Sequence, residues 1–407
     1  MKLSQDYKGS KVVNSLFGIY LILAICFYGV QGKTFIPQIF GLFVAGTFLL
    51  DIIIFNRKVF YSFPIFLLIL FGLYTLLGTI WYSTSWSFFF TIFQITFLFL
   101  LLYNILIEVE YIERFYWSFI VGIILLVVIQ LFNGRPLLFT ELEDLYRVGG
   151  NVGNSNDYAF CLLVGINFLT LMLLGKNDNQ LIKVFVSLLI IIFLYEIIFF
   201  SGSKSGFIIA SFSLFCYLIF KFQAANKTVR LLLLTIIIGP VIYFIKNANE
   251  FNIIIFQRFE RMFNFFLGRR IGKYDRDHSS EERYELILDG LRLWAERPLF
   301  GWGPNEFRYI NNVAYDTYSH NNYIEILVNF GLLGFVLFYS IHLYIIVRIW
   351  KLNLISKSNN LKWLLVIVIS LLFVDMTFVT YYNKIYFICI GLVLVLVERP
   401  SVNAKSY

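Results

Sequence analysis

Residues 87–107 read SFFFTIFQITFLFLLLYNILI, a run of 21 residues without a charged side chain. A hydrocarbon core of roughly 30 Å takes about 20 apolar residues in an α-helix rising 1.5 Å per residue. The stretch is therefore read as a membrane-spanning helix. Working outward, runs of the same kind fall near 14 to 30, 36 to 55, 60 to 80, 115 to 132, 158 to 174, 181 to 200, 205 to 222, 229 to 245, 322 to 347, 361 to 379 and 384 to 398. The sequence thus predicts an all-α polytopic membrane protein of about 12 spans. It forms one integral membrane domain, 1–407, with a single long hydrophilic loop at 246–320.

Composition agrees. The chain is 59% hydrophobic and 14% charged, with a mean hydropathy of +0.77, whereas soluble domains carry about 25% charged residues. The formal charge of +8 is read through topology rather than as a footprint for nucleic acid. Cys26, Cys161, Cys216 and Cys389 each lie inside an apolar run without metal-ligand or redox spacing, and read as packing residues. The first residues carry Lys2, Lys8 and Lys11 with no small-residue cleavage site after them, as expected of a cytoplasmic tail before a retained first helix.

An even number of spans places both termini on one side. Sorting Lys and Arg between the two sides puts 17 in one set of short segments and 5 in the other, with 11 in the long loop. The positive-inside rule then assigns both termini to the cytoplasm and the loop to the far side of a bacterial inner membrane. The loop carries 11 acidic residues as well, but residues 246 to 276 hold seven Lys or Arg against Glu250, Glu260 and Asp275. Its first half is cationic, and Phe251, Ile254, Ile255, Phe259, Met262, Phe263 and Phe266 fall on one helical stripe. That stripe suits a helix lying on the membrane or one packed on the rest of the loop. A second helix is predicted from a capping box at Ser279 and Glu282, with Tyr284, Ile287, Leu288, Leu291, Trp294 and Ala295 as its apolar stripe. Arg283 borders the stripe, and Arg297-Pro298 ends the helix.

Beyond that helix the sequence runs Pro298-Leu-Phe-Gly301-Trp-Gly303-Pro304-Asn305, then Ser319-His320-Asn321-Asn322-Tyr323-Ile-Glu325, and Gly331-Leu-Leu-Gly334. These motifs resemble the bacterial O-antigen ligase and polymerase family, membrane enzymes that move a glycan from an undecaprenyl diphosphate carrier to an acceptor. Upstream, Ser201-Gly-Ser203-Lys204-Ser205-Gly206 is similar to the family's "S-R-S-R/G" turn. Arg147-Val-Gly-Gly150 followed by Asn154-Ser155-Asn156 is similar to its "R-x-x-G…N-P-N" segment. The resemblance covers most of the chain after about residue 130. Two positions depart from it: Lys204 stands where Arg is usual, and an ammonium lacks the bidentate phosphate contact of a guanidinium. Ser155 stands where Pro is usual.

The resemblance implies a GT-C-like enzyme. Its partners would be an undecaprenyl diphosphate-linked glycan donor, a glycan acceptor and membrane lipids, with a chain-length regulator as a further partner. It implies inverting transfer without a metal or other cofactor. His320 and Arg283 are the expected catalytic residues, with Lys204, Arg147, Asn154, Asn156 and Glu325 expected to bind substrate.

The residue chemistry runs parallel. A diphosphate leaving group needs cations aimed at it, and His320 titrates near neutrality. Each residue also has a plainer reading: His320 as a helix-capping group at the interface, the cations as solvated loop charges, and Asn154 or Asn156 as the cap of the sixth span. Glu325 lies one turn below Asn321, where it can orient His320 or a cation. Glu196, Asp375 and Asp51 are further charges within spans. Asp275-Arg-Asp277 matches the short acidic pattern of metal-dependent sugar-nucleotide transferases, but those donors lie on the other side of the membrane. Joining lipid-linked repeat units into surface polysaccharide ranks first among the activities. Transfer of finished polymer to lipid A core or protein is the alternative, and transport of lipid-linked oligosaccharide is the rival from another class. A transporter would place its polar residues at the midplane, whereas here they gather at one face and in one loop.

Overall fold

The computed structural model describes residues 8–28, 35–82, 86–107, 109, 112–132, 154–175, 179–221, 278–356 and 358–399. The first helices are α1 (Lys8–Cys26), α2 (Phe35–Phe55), α3 (Phe63–Tyr82), α4 (Trp86–Leu106) and α5 (Glu113–Phe132). Then come α6 (Ser155–Leu174), α7 (Gln180–Tyr195) with a π-helical turn Glu196–Ser201, and α8 (Lys204–Lys221). After the loop's first half lie α9 (His278–Glu296), α10 (Phe307–Ile310), α11 (Asn322–Ser356), α12 (Asn359–Asp375) and α13 (Lys384–Glu398).

The protein is an all-α polytopic membrane protein. Among the described residues eight helices are long and apolar enough to cross a bilayer: α2 to α6, α7 with its π turn, α8 and α11. The apolar part of α1, Lys11–Cys26, is shorter, and α12 and α13 have 17 and 15 residues. The expected span 229–245, the stripe from Phe251 to Phe266 and Asp275-Arg-Asp277 lie outside the described residues.

α6 is the central helix, with 78% of its apolar window buried, whereas α2 is 22% buried and presents Ile39, Leu42, Leu49 and Ile53 outward. Lipid tails solvate such a face. Charges within spans are partnered: Asp51 lies 3.6 Å from Arg57, and Glu196 accepts from the Tyr158 hydroxyl at 2.8 Å. Asp375 accepts from Tyr339 at 3.1 Å, Tyr386 at 3.2 Å and Thr380 at 2.5 Å.

The feature that positions the site is a break in α11. Gly331 has φ 63° and ψ −167°, a conformation essentially reserved for glycine. A helix break strands backbone groups on both sides, and the Pro298–Gly303 turn supplies their partners. Trp302 N–H donates to Val328 O at 2.8 Å and Gly303 N–H to Asn329 O at 2.9 Å. In return Leu332 N–H donates to Pro298 O at 2.8 Å and Leu333 N–H to Leu299 O at 3.2 Å. The two backbones pass so close that a Cβ on Gly301 would stand 2.6 Å from Asn329 O, and one on Gly331 would strike the Leu299 carbonyl. From α3, the Tyr74 hydroxyl donates to Phe300 O at 2.8 Å and to Phe330 O at 3.1 Å, pinning turn and helix together.

The described part of α9 opens at His278, within a residue of the expected start. One expectation for α9 is corrected, since the buried face is rotated from the expected stripe: Leu286, Gly290 and Leu293 turn inward, while Tyr284, Leu288 and Leu291 are exposed. Gly290 decides this, because the side chain of Ile324 fills the space a Cβ would need. Leu286 and Leu293 complete a small core with Phe307, Ile324 and Val328. The helix does end before Arg297-Pro298, as expected.

Candidate active site

The starts of α6, α8, α11 and α13 converge at one end of the bundle, where α9 packs on α11 and reaches α8 through Ser280 and Lys204. His320 stands just before α11 with a left-handed backbone, φ 54°, a costly conformation for a bulky residue. Its neighbours enforce it. Glu325, fully buried, accepts from Ser319 N–H at 2.8 Å. The Ser319 hydroxyl donates to Asn321 O at 2.7 Å, and the Asn321 side chain caps α11 by accepting from Tyr323 N–H at 3.0 Å and Ile324 N–H at 3.2 Å. The imidazole lies 4.2 Å from the Tyr318 ring, and its Nδ1 is buried with no hydrogen-bond partner among the described residues. Burial, with the Arg283 charge second, pushes the His320 imidazole down to about 3. At neutral pH it carries no charge and can accept a proton.

Three cations stand on the neighbouring elements. Arg283 acts electrostatically on both His320 and Tyr318. Lys204 opens α8 and donates from Nζ to the Ser280 hydroxyl of α9 at 3.1 Å. Arg308 of α10 lies over the Tyr318 ring at 5.7 Å and 3.8 Å from Asp316. Burial alone would lower the Arg308 guanidinium, but Tyr382, Glu325 and Asp316 more than offset that and raise it.

The polar wall is built from α6 and α8. Asn154 caps α6, accepting from Asn156 N–H at 2.9 Å while its amide donates to the Tyr318 hydroxyl at 3.2 Å. Asn156 Oδ1 accepts from the Ser203 hydroxyl at 2.9 Å, which also receives Gly206 N–H at 3.2 Å. On the far side of Asn154, Asp157 accepts from the Tyr28 hydroxyl at 3.1 Å, and Asn383 donates to that same hydroxyl at 2.6 Å. These residues border a cavity of about 360 Å³ that Tyr318 and Tyr382 also line.

The structure therefore brings together His320, Arg283, Lys204, Asn154, Asn156 and Glu325 from segments far apart in sequence. Asn154 is a helix cap, one of the two expectations for it, and Glu325 faces the backbone before His320 and the charge of Arg308 rather than the imidazole itself. Arg147 lies outside the described residues. Sequence reasoning missed Arg308, Tyr318, Tyr382, Asp157 and Tyr28. Arg308 lies three residues beyond the Pro298–Asn305 motif and could have been taken with it. The tyrosines look like any aromatic residue at a span end. Among the described residues no group of three His, Cys, Asp or Glu side chains gathers to hold a metal ion.

The arrangement can hold an anion against Arg283 and Lys204, take a proton on His320 and hydrogen-bond hydroxyls along Asn154, Asn156 and Tyr318. No curated protein matches the chain. A family model described as O-antigen ligase matches residues 186–339, which contain Lys204, Arg283, His320, Glu325 and both sides of the Gly301–Gly331 crossing. Over that stretch the chain is similar to the O-antigen ligase family.

Proposed function

We propose that this protein is a polymerase that joins undecaprenyl diphosphate-linked repeat units into surface polysaccharide at the outer face of the bacterial inner membrane. The observation that carries the reading is the neutral His320 imidazole, held in a left-handed turn within the electrostatic reach of Arg283. An acceptor sugar hydroxyl attacks the anomeric carbon of the donor glycan. As the new C–O bond forms, the bond from that carbon to the diphosphate oxygen breaks, and the electron pair leaves with the diphosphate. The hydroxyl proton passes to the His320 ring. Arg283 and Lys204 take up the charge that grows on the leaving group, and configuration at the anomeric carbon inverts.

Donor binding also prepares the base. Burial is the larger cause of the depressed imidazole and the Arg283 charge the second, so an anionic diphosphate against Arg283 relieves the smaller part of that depression. Glu325 is a positioning residue that fixes the Ser319 backbone and hence the turn.

The test is genetic. A deletion strain complemented with His320→Ala or Arg283→Ala should show single repeat units on the acceptor in place of a polymer ladder, with the protein at normal level in the membrane. A normal ladder from either variant contradicts the mechanism. Loss of all acceptor-linked glycan while long polymer stays on the lipid carrier would identify a ligase instead.

A further inference from the structure

The stripe Tyr284, Leu288 and Leu291 of α9 and the Leu299-Phe300 tip of the turn that follows it are apolar and exposed, Phe300 by 65%. The helices they touch give their depth. α3 runs antiparallel to α11, with Phe63 against Tyr344 and Phe71 against Phe330 at ring separations of 5.8 and 5.1 Å. The end of α3 remote from Phe63 therefore lies at the site end of the bundle. The Tyr74 hydroxyl, which donates to Phe300 O at 2.8 Å, fixes the tip beside this spanning helix. Ile80 stands six residues, about 9 Å, nearer the site end and is still an exposed apolar side chain of the span. The tip lies deeper than that.

α9 descends to the tip alongside α11. Gly290 faces the Ile324 side chain, and nine residues further along both segments Leu299 O accepts from Leu333 N–H at 3.2 Å. Over that length the two run side by side in the same direction, away from His320 and into the span. The turn is equipped for such a place, because backbone in hydrocarbon must find its partners within the protein. The carbonyls of Pro298, Leu299 and Phe300 accept from Leu332, Leu333 and Tyr74, and the amides of Gly301, Trp302 and Gly303 donate to Arg297, Val328 and Asn329. α9 also keeps charge off its apolar stripe. Arg292 pairs with Asp289 at 2.9 Å and with Glu296 at 3.2 Å on a neighbouring face, the division expected of a helix with one side in lipid and another in water.

We infer that the stripe and the tip are seated in the site-side leaflet of the bilayer with lipid acyl chains as their partner, so that the second half of the long loop is a re-entrant wedge. Continuity with the spans selects lipid. On one side the tip is bonded to Tyr74, next to Leu73 and one turn from Leu77 of α3; on the other it is bonded to Leu332 and Leu333, one turn from Val336 of α11. These leucines and the valine are exposed side chains of spanning helices. A second copy of the chain, or the segment 246–276, laid over the tip would have to strip lipid from both spans as well. The wedge bears on the site, because Arg283, which acts electrostatically on His320, lies about two turns along α9 from Leu291. The leaflet that holds the stripe helps to hold that cation in place.

The test attaches a nitroxide to single cysteines in a full-length chain whose four native cysteines are replaced by alanine, reconstituted in nanodiscs of phosphatidylcholine and phosphatidylglycerol. Spin-resonance power saturation reads collisions with oxygen, which concentrates in hydrocarbon, and with a nickel chelate, which stays in water. Phe300→Cys keeps the carbonyl that Tyr74 bonds, and Leu291→Cys probes α9 independently of the turn. Both labels should match the oxygen access of Leu77→Cys within about twofold, with nickel access about tenfold below that of Tyr315→Cys, an exposed loop position. Nickel access should also rise in order from Phe300→Cys through Leu291→Cys to Tyr284→Cys, since α9 slopes out of the leaflet toward the site. Nickel access at Phe300→Cys and Leu291→Cys equal to that at Tyr315→Cys would mean a loop in water and overturns the wedge. Low access to both reagents would mean a cover of protein, whether a second copy or the segment 246–276, and overturns lipid as the partner. A flat nickel profile over the three positions overturns the descent of α9.

Discussion

His320 shows how strongly a single side chain depends on its surroundings. An imidazole free in water takes a proton near 6.5, whereas burial and then Arg283 push this one down to about 3. The unfolded chain therefore binds a proton here between about pH 6.5 and pH 3 that the folded protein does not. By linkage, folded-state stability is fully present above the unfolded value and is lost progressively as the pH falls through that window. Thermal melts of the detergent-purified protein should show a drop in Tm from pH 7 to pH 5 that is smaller in His320→Asn, which cannot titrate. An equal drop in both would place the acid sensitivity elsewhere. At this scale His320 and Lys204 could be singled out because they stand in short motifs with a recognisable order, and Arg283 because it borders an apolar helical stripe. Asp157 and Tyr382 could not, since Tyr28 meets Asp157, and Arg308 meets Tyr382, only after the helices have packed.

At the scale of elements, the break in α11 and the Pro298–Gly303 turn form one unit. Four backbone hydrogen bonds and two Tyr74 contacts join them, and the site depends on the result because His320 lies eleven positions before Gly331. Gly331→Ala must either leave its φ of 63° or push the Leu299 carbonyl away. Strain of this sort costs about 1–3 kcal/mol before any clash, so the variant should melt several degrees lower and lose most activity. Tyr74→Phe removes the one hydroxyl proton that the two carbonyls share and should cost about 0.5–1.5 kcal/mol, read in the same melts, with weaker loss of activity. Wild-type behaviour in both would mean that the crossing does not hold the site. The sequence displayed the glycines of both partners, but their pairing across some thirty residues became visible only as geometry. The stripe of α9 was misjudged for a related reason: an amphipathic pattern tells how wide a face is, and the helix was turned by the one small residue, Gly290, that admits Ile324.

For the whole molecule, hydropathy carried most of the fold. Apolar runs of the right length became helices in every described span, because in hydrocarbon a helix satisfies its own backbone. Which helix sits at the centre was not legible: α6 and α2 are about equally long and apolar, yet one is enclosed and the other faces lipid. That difference comes from which neighbours each helix meets, a property of the packed bundle. The account places the ends of the chain and the site on opposite sides of the membrane. Single cysteines at Tyr315 and Asn312, both exposed, should react with a membrane-impermeant maleimide in intact spheroplasts, while one at Lys351 should react only after permeabilisation; the reverse pattern would invert the topology.

The most direct test of the central claim uses purified protein in nanodiscs, supplied only with undecaprenyl diphosphate-linked repeat units. The account predicts a ladder of lengthening glycans on the lipid carrier, release of undecaprenyl diphosphate in step with each bond formed, and neither product from His320→Ala. A ladder of undiminished rate from His320→Ala, or no chain growth from the active wild-type protein until a different acceptor is added, would contradict it.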